Sequence, residues 1–145
     1  MPEIEESIVI ARPREEVYEF MTASENVPLI NSNVVDFELV SGEDRTVGAV
    51  AKGVSKVAGR RLEWTTTIRE VDDGKRTLIA STESKIAFTI EMRFEDDPGG
   101  TKVVWSQHTD SLGGFFGKLA DSVVVKMYAR DVHGNLEKAK LLLES

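Results

Sequence analysis

The stretch IAFTIEMRFEDDPGGTKVVWSQHT, residues 86–109, decides how the rest of the chain is read. Ile86, Phe88, Ile90, Met92 and Phe94 alternate with Ala87, Thr89, Glu91, Arg93 and Glu95. Successive side chains of a strand point to opposite faces, so this alternation describes a strand with one buried face. Asp96-Asp97-Pro98-Gly99-Gly100 has the chemistry of a turn, and Val103, Trp105, Gln107 and Thr109 then resume the period of two. Two such runs joined so tightly must lie antiparallel.

Reading backward from this hairpin, the same grammar repeats. Residues 77–82 form a strand after the Asp72-Asp73-Gly74 turn, preceded by Leu62, Trp64, Thr66 and Ile68 in alternation. Residues 47–58 are strand-like but carry Gly48 and Gly53, which predicts a bulge or a sharp curve there. Val35, Phe37 and Leu39 alternate before the Ser41-Gly42-Glu43-Asp44 turn, and Ile4, Glu6, Ile8 and Ile10 do so at the N-terminus. The total is about seven strands, mostly joined by tight turns. Between the first two strands, Pro13 suits a helix's first turn, and Val17, Phe20 and Met21 follow at helical spacing over residues 13–22. Residues 24–33 read as a second short helical piece or a loop.

Forward of the hairpin, Ser111-Leu112-Gly113-Gly114 breaks the pattern, and a long helix is predicted over residues 116–143. At about 100° per residue, Val125, Ala129, Val132, Ala139 and Leu143 fall on the side of Leu136, a stripe suited to packing on the sheet. Phe116, Ala120, Val123 and Met127 cluster on the opposite side. That second face could line a cavity, or serve as a homodimer or protein-partner surface.

Composition narrows the function classes. The chain has 145 residues, 18 basic and 25 acidic side chains, a net charge of −7 and no cysteine. That length suits one domain, residues 1–145, able to bury about two-thirds of its unfolded surface. Thiol nucleophiles, disulfides and cysteine-based metal sites are excluded. The acid excess argues against nucleic acid as a partner. The acidic start lacks the features of a secretory signal, and no apolar run approaches the ~20 residues of a membrane helix. A cytoplasmic protein without membrane insertion is expected.

The order strand, two short helices, six strands and long helix resembles the START-like superfamily, also called SRPBCC or birch-pollen-allergen-like. Within it the chain is similar to the polyketide cyclase/dehydrase-type branch. The residues that carry the likeness are Ile8-Val9-Ile10-Ala11-Arg12-Pro13 leading to Glu16-Val17-Tyr18, then Val47-Gly48, Glu63-Trp64, and Gly100-Thr101-Lys102-Val103. The helix end, residues 136–144, also matches, so the resemblance spans essentially the whole chain. It implies an α+β helix-grip fold: a curved antiparallel sheet wrapped around a long C-terminal helix, with a cavity between them. Members bind sterols, lipids, quinones, plant hormones or polyketides, and some are aromatase/cyclases. The chain departs from the many members that carry a cavity-facing Trp or Tyr just after the first helix. Here that region reads Asn26-Val27-Pro28-Leu29-Ile30-Asn31.

On this fold the inward set is Trp64, Thr66, Ile68, Phe88, Ile90, Trp105, Gln107 and Thr109, facing Val125 and Tyr128 from the helix. Aromatic walls with a few polar groups make a plausible ligand pocket, although each residue alone would also suit an ordinary core. Other chemistry is less well supported. Ser106, His108 and Asp110 share a strand face but lie ~7 Å apart in sequence steps and point away from Trp105, so no hydrolase triad is expected. Gly113-Gly114-Phe115-Phe116-Gly117-Lys118 has the wrong spacing for a phosphate loop and reads as a flexible connection near the cavity mouth. His108 and His133 do not sit in a metal-ligand spacing, so neither metal nor cofactor is expected. Arg69 could polarise a substrate carbonyl, as the resemblance to aromatases suggests, but strict register turns it outward unless a bulge intervenes. The expected function is binding of a hydrophobic small molecule between sheet and helix, with polyketide cyclase/dehydratase activity as the alternative.

Overall fold

The computed structural model describes residues 3–110, 115–116 and 120–145. The strands are β1 (Glu3–Ile10), β2 (Val34–Ser41), β3 (Val50–Val57), β4 (Arg60–Asp72), β5 (Arg76–Ser84), β6 (Phe88–Asp97) and β7 (Gly100–Thr109). The helices are α1 (Arg14–Thr22), α2 (Val27–Ile30), which follows a 3₁₀ turn at Ser24–Asn26, and α3 (Asp121–Glu144). The strands form one seven-stranded antiparallel sheet in the order β1-β7-β6-β5-β4-β3-β2. The α+β helix-grip fold expected from the sequence is the fold observed.

The β6–β7 register is unbroken and pairs Phe94 with Val103, Met92 with Trp105 and Ile90 with Gln107. β1 joins the same face, with Ile8 opposite Val103 and Ile4 opposite Gln107. Helix α3 lies against this face and buries Val132, Leu136, Ala139 and Leu143. Together with Ile10, Val17, Tyr18, Met21 and Phe94 of the strands and α1, they make the main core. Tyr18 meets Phe94 edge to face, with ring centroids 5.3 Å apart. A second cluster joins Val57, Leu62, Ile86, Phe116 and Val124 at the other end of the molecule.

Several expectations change in detail. Helix α3 begins at Asp121, not at residue 116. Phe116 is a turn residue whose ring packs edge to face on Phe115 at 4.9 Å and is buried in the second cluster. Residues 111–114 and 117–119, the rest of the expected glycine-rich connection, lie outside the described residues. The register shifts fall on β2 and between β4 and β5, whereas β3 pairs with β4 without interruption. Val35 and Val40 are the extra residues of β2 and stand exposed, so Val34, Phe37 and Leu39 face inward instead of the strict alternation from Val35. Gly53 is explained by close approach: it sits opposite Trp64, and a Cβ there would collide with the indole ring.

Candidate functional site

Sheet, α3 and the α1–α2 segment enclose a cavity of about 240 Å³. Its floor is the concave face of β3 to β7, including Trp64, Ile68, Ile79, Phe88, Ile90 and Trp105. Its roof is α3, through Val124, Val125, Tyr128, Asn135 and Leu136. Met21, Val27 and Ile30 of the short helices close one side, where the expected family aromatic is replaced by aliphatic side chains. The cavity exists because a sheet curved around one helix reaches α3 closely only at one end. Toward β2–β5 the gap is wider than the side chains fill.

Of the residues expected to form the pocket, Trp64, Thr66, Ile68, Phe88, Ile90, Trp105, Gln107, Val125 and Tyr128 all lie on this cavity wall. Thr109 does not. It pairs with Phe88 at the end of β7, beyond the cavity. Arg69 is also off the wall: the β4 bulge falls on Arg69 itself and leaves its side chain exposed. Past the bulge, Val71 sits opposite Thr77, which does line the cavity, so the bulge re-aims the strand rather than the arginine. The apolar set Phe116, Val123 and Met127 is split, because Phe116 lines the cavity while Val123 and Met127 are exposed on α3.

Besides Thr66 and Thr77, polar groups of the cavity fall in two clusters. In the first, the Trp105 indole N–H donates to Oε1 of Gln107 at 3.1 Å, and Gln107 in turn neighbours the Tyr128 hydroxyl. In the second, the buried Asn135 of α3 accepts from the Ser32 backbone N–H at 3.2 Å and donates to the oxygens of Asn31 (3.2 Å) and Asn33 (3.0 Å). Asn33 also lines the cavity, near enough to Tyr128 to ease its ionisation. Burial pushes the Tyr128 phenol up to about 12; donation from Gln107 and Asn33 opposes that rise and the nearby Asp131 charge adds to it. Tyr128 is therefore a neutral hydroxyl at any physiological pH. Separately, the Trp64 indole donates to Ser55 at 2.9 Å.

Charge is confined to one corner. Asp44 and Arg45 are the only ionisable aspartate, glutamate, lysine, arginine or histidine side chains on the wall among the described residues. Asp44 accepts from the Ser24 backbone N–H at 3.0 Å and from the Ser24 hydroxyl. Arg45, held at φ 61°, donates to Thr22 Oγ1 at 3.3 Å and to the Glu19 carbonyl at 3.4 Å. These contacts pin the β2–β3 loop onto α1 and the 3₁₀ turn, and the deep wall formed by the described residues carries no charge. His133 pairs on the α3 surface with Glu6 (3.2 Å) and Glu137 (2.8 Å), closer to carboxylates than its sequence spacing suggested. Among the described residues no group of His, Cys, Asp and Glu is placed to hold a metal ion. No helix among them is long and apolar enough to cross a membrane.

The asparagines are absent from the site that the sequence predicts. Asn135 carries a usable signal, since it falls seven residues after Tyr128 and so nearly above it on the helix. Asn31 and Asn33 carry none, as they belong to a short polar connection whose position depends on distant packing.

Solved structures share this architecture. TTHA0849 from Thermus thermophilus superposes with a TM-score of 0.81 at 22% identity, over 99% of this chain and 100% of that one. The Zhui aromatase/cyclase from a Streptomyces species gives 0.78 at 18% identity, covering 99% and 93%. A START superfamily protein from Mycobacterium smegmatis gives 0.77 at 9% identity, covering 98% and 97%. At these identities the likeness is one of fold. Among curated proteins, none matches the sequence. The family model described as polyketide cyclase / dehydrase and lipid transport matches residues 1–144, and the chain belongs to that family.

Proposed function

We propose that the protein binds a hydrophobic small molecule, such as a lipid, polyketide or quinone, in the cavity between sheet and α3. The observation that carries this reading is a largely apolar cavity of about 240 Å³ whose wall also carries a few polar groups, Gln107, Thr66 and Tyr128 among them. A pocket of this kind desolvates the ligand's apolar body and orients one polar end. Native mass spectrometry of the purified protein should reveal a co-purifying apolar compound, released on denaturation. Trp105→Ala should then reduce its occupancy; an unchanged occupancy with lowered stability alone would make Trp105 a core residue and count against the site.

The family description also names cyclisation and dehydration of polyketides, which supports a second reading as an enzyme. It ranks lower because the described cavity wall holds no convergent acid–base pair: Asp44 and Arg45 are engaged with Ser24, Thr22 and Glu19. Turnover of a poly-β-ketone by the purified protein would reverse the order. Val123 and Met127, exposed on α3, are the place to look for a protein partner, in this reading or the first.

A further inference from the structure

Helix α3 carries a second stripe, on the side away from Leu136. At about 100° per residue, Val123, Met127 and Leu141 all fall within about 20° of Gly134. All four residues are exposed in the folded chain. Met127, Gly134 and Leu141 are spaced seven apart, the repeat that keeps one helix seam facing another. Gly134 is the odd member, because glycine is a poor residue for the interior of a 24-residue helix. Beyond its own helix, no described atom lies within 4 Å of where its side chain would stand, so no close approach inside the fold calls for it. A glycine in the middle of an exposed seam lets a second helix backbone come close.

We infer that this face of α3 is the interface of a homodimer, in which two copies of α3 lie antiparallel and meet at Gly134. Charge identifies the second helix. Arg130 and Glu137 lie on one flank of the stripe and Asp131 and Lys138 on the other, all within about 60° of Gly134. A two-fold axis at Gly134 keeps each flank against the same flank of the copy and opposes residues equally far before and after the glycine. Met127 then meets Leu141 of the second copy. Arg130 comes within one residue, about 1.5 Å along the axis, of Glu137 of the second copy, and Asp131 comes as near to its Lys138. Both flanks thus join opposite charges, and the patch is its own complement, as an interface between identical chains requires. A parallel pairing would set Arg130 on Arg130 and Glu137 on Glu137. Within its own chain Glu137 holds His133 Nε2 on Oε1 at 2.8 Å, so the arginine of the second copy is taken on Oε2.

One helix from each subunit makes a small interface beside the roughly 1,600 Å² of a standard complex, so the dimer should form and dissociate with concentration. Sedimentation equilibrium of the intact protein from about 10 to about 500 µM should show a mass rising from 16.1 kDa towards twice that value. Arg130→Glu should raise the dissociation constant about tenfold, because two attractive contacts become repulsive, and Glu137→Arg should do the same. The double variant Arg130→Glu/Glu137→Arg exchanges the signs, restores both contacts and should recover the dimer. Residues 130 and 137 stand two helical turns apart in one chain, so a role confined to folding would not give that rescue. Gly134→Leu should abolish the dimer, yet in dilute solution it should unfold no earlier than the intact protein, because its side chain enters open space. Should that variant lack a cooperative thermal transition, the charge exchange alone decides. A protein that stays at 16.1 kDa over the whole range overturns the inference and leaves the stripe to a partner of another sequence. A dimer indifferent to Gly134→Leu and to both charge reversals overturns it too, since the contact would then lie on another face.

Discussion

Strand β6 runs through two different environments, and the contrast between its ends explains the molecule. At one end Phe94 is 2% exposed, wedged against Tyr18 of α1 and close to Val103 and Leu136. At the other, Phe88 points from the same face of the same strand but reaches only the cavity wall. Both ends have a hydrophobic face in unbroken register with β7. What differs is the distance to the covering layer. Near Phe94 the helices α1 and α3 both close on the sheet, and side chains interdigitate. Near Phe88 the sheet has curled away toward β5 and β4, and the described cover there is α3 with the turn at Phe116. A hydrophobic face is thus a core or a binding site according to what lies opposite it.

The contrast can be broken by experiment. The largest effect should come from Phe94→Ala, with a loss of about 3–5 kcal/mol in denaturant unfolding, because a close-packed ring is replaced by a void. Phe88→Ala, the same change on the same strand face, should cost less than half as much, since its ring already borders empty space. Equal losses would mean that the cavity is filled in solution. Next in size is Gly53→Ala. The added methyl group meets the Trp64 indole and should destabilise by about 1–3 kcal/mol while disturbing the cavity wall. An unchanged unfolding midpoint would show that Trp64 occupies another position. The smallest effect is a titration. Burial raises the phenol of Tyr128 to about 12 and that of Tyr18 upward as well, and these are the only tyrosines. In the unfolded chain both ionise near pH 10, so the neutral folded forms favour unfolding increasingly as pH rises from about 10 toward 12. Ultraviolet absorbance at 295 nm should show at most one phenolate near pH 10 while the fold persists, that of Tyr18; ionisation of both phenols there would mean that water reaches Tyr128.

The Phe94 end of this comparison is easy to read from sequence and the Phe88 end is harder, for a physical reason. Alternation at residues 86–109 and the Leu136 stripe on α3 report burial, and burial is local information. The inward set therefore emerges almost complete, down to Gln107 and Tyr128. Thr109 is misplaced because alternation carries no mark of where a cavity stops. The start of α3 is misread because Phe116 is apolar at a helical spacing, although its ring is buried from a turn. The phase of β2 is misread because a bulge moves Val35 outward without any change in composition. The asparagine chain is missed because it joins residues over a hundred positions apart: Asn135 to Asn31 and to Asn33. Hydrophobic periodicity says which face is buried; it does not say which buried amides will meet.

The pairing of β1 with β7 also sets the order in which this fold can assemble. Strands β2 to β7 each pair with the next in sequence, so that part of the sheet can grow hairpin by hairpin. β1 has no partner until β7 exists, and their contact between Glu5 and Ser106 closes a loop of 101 residues. Loop closure on that scale costs chain entropy before any contact repays it, so it slows folding. β1 and α3, the two elements that complete the main core, should be the last to dock. During synthesis β1 emerges well before its partner, with Ile4, Ile8 and Ile10 uncovered until β7 has been made.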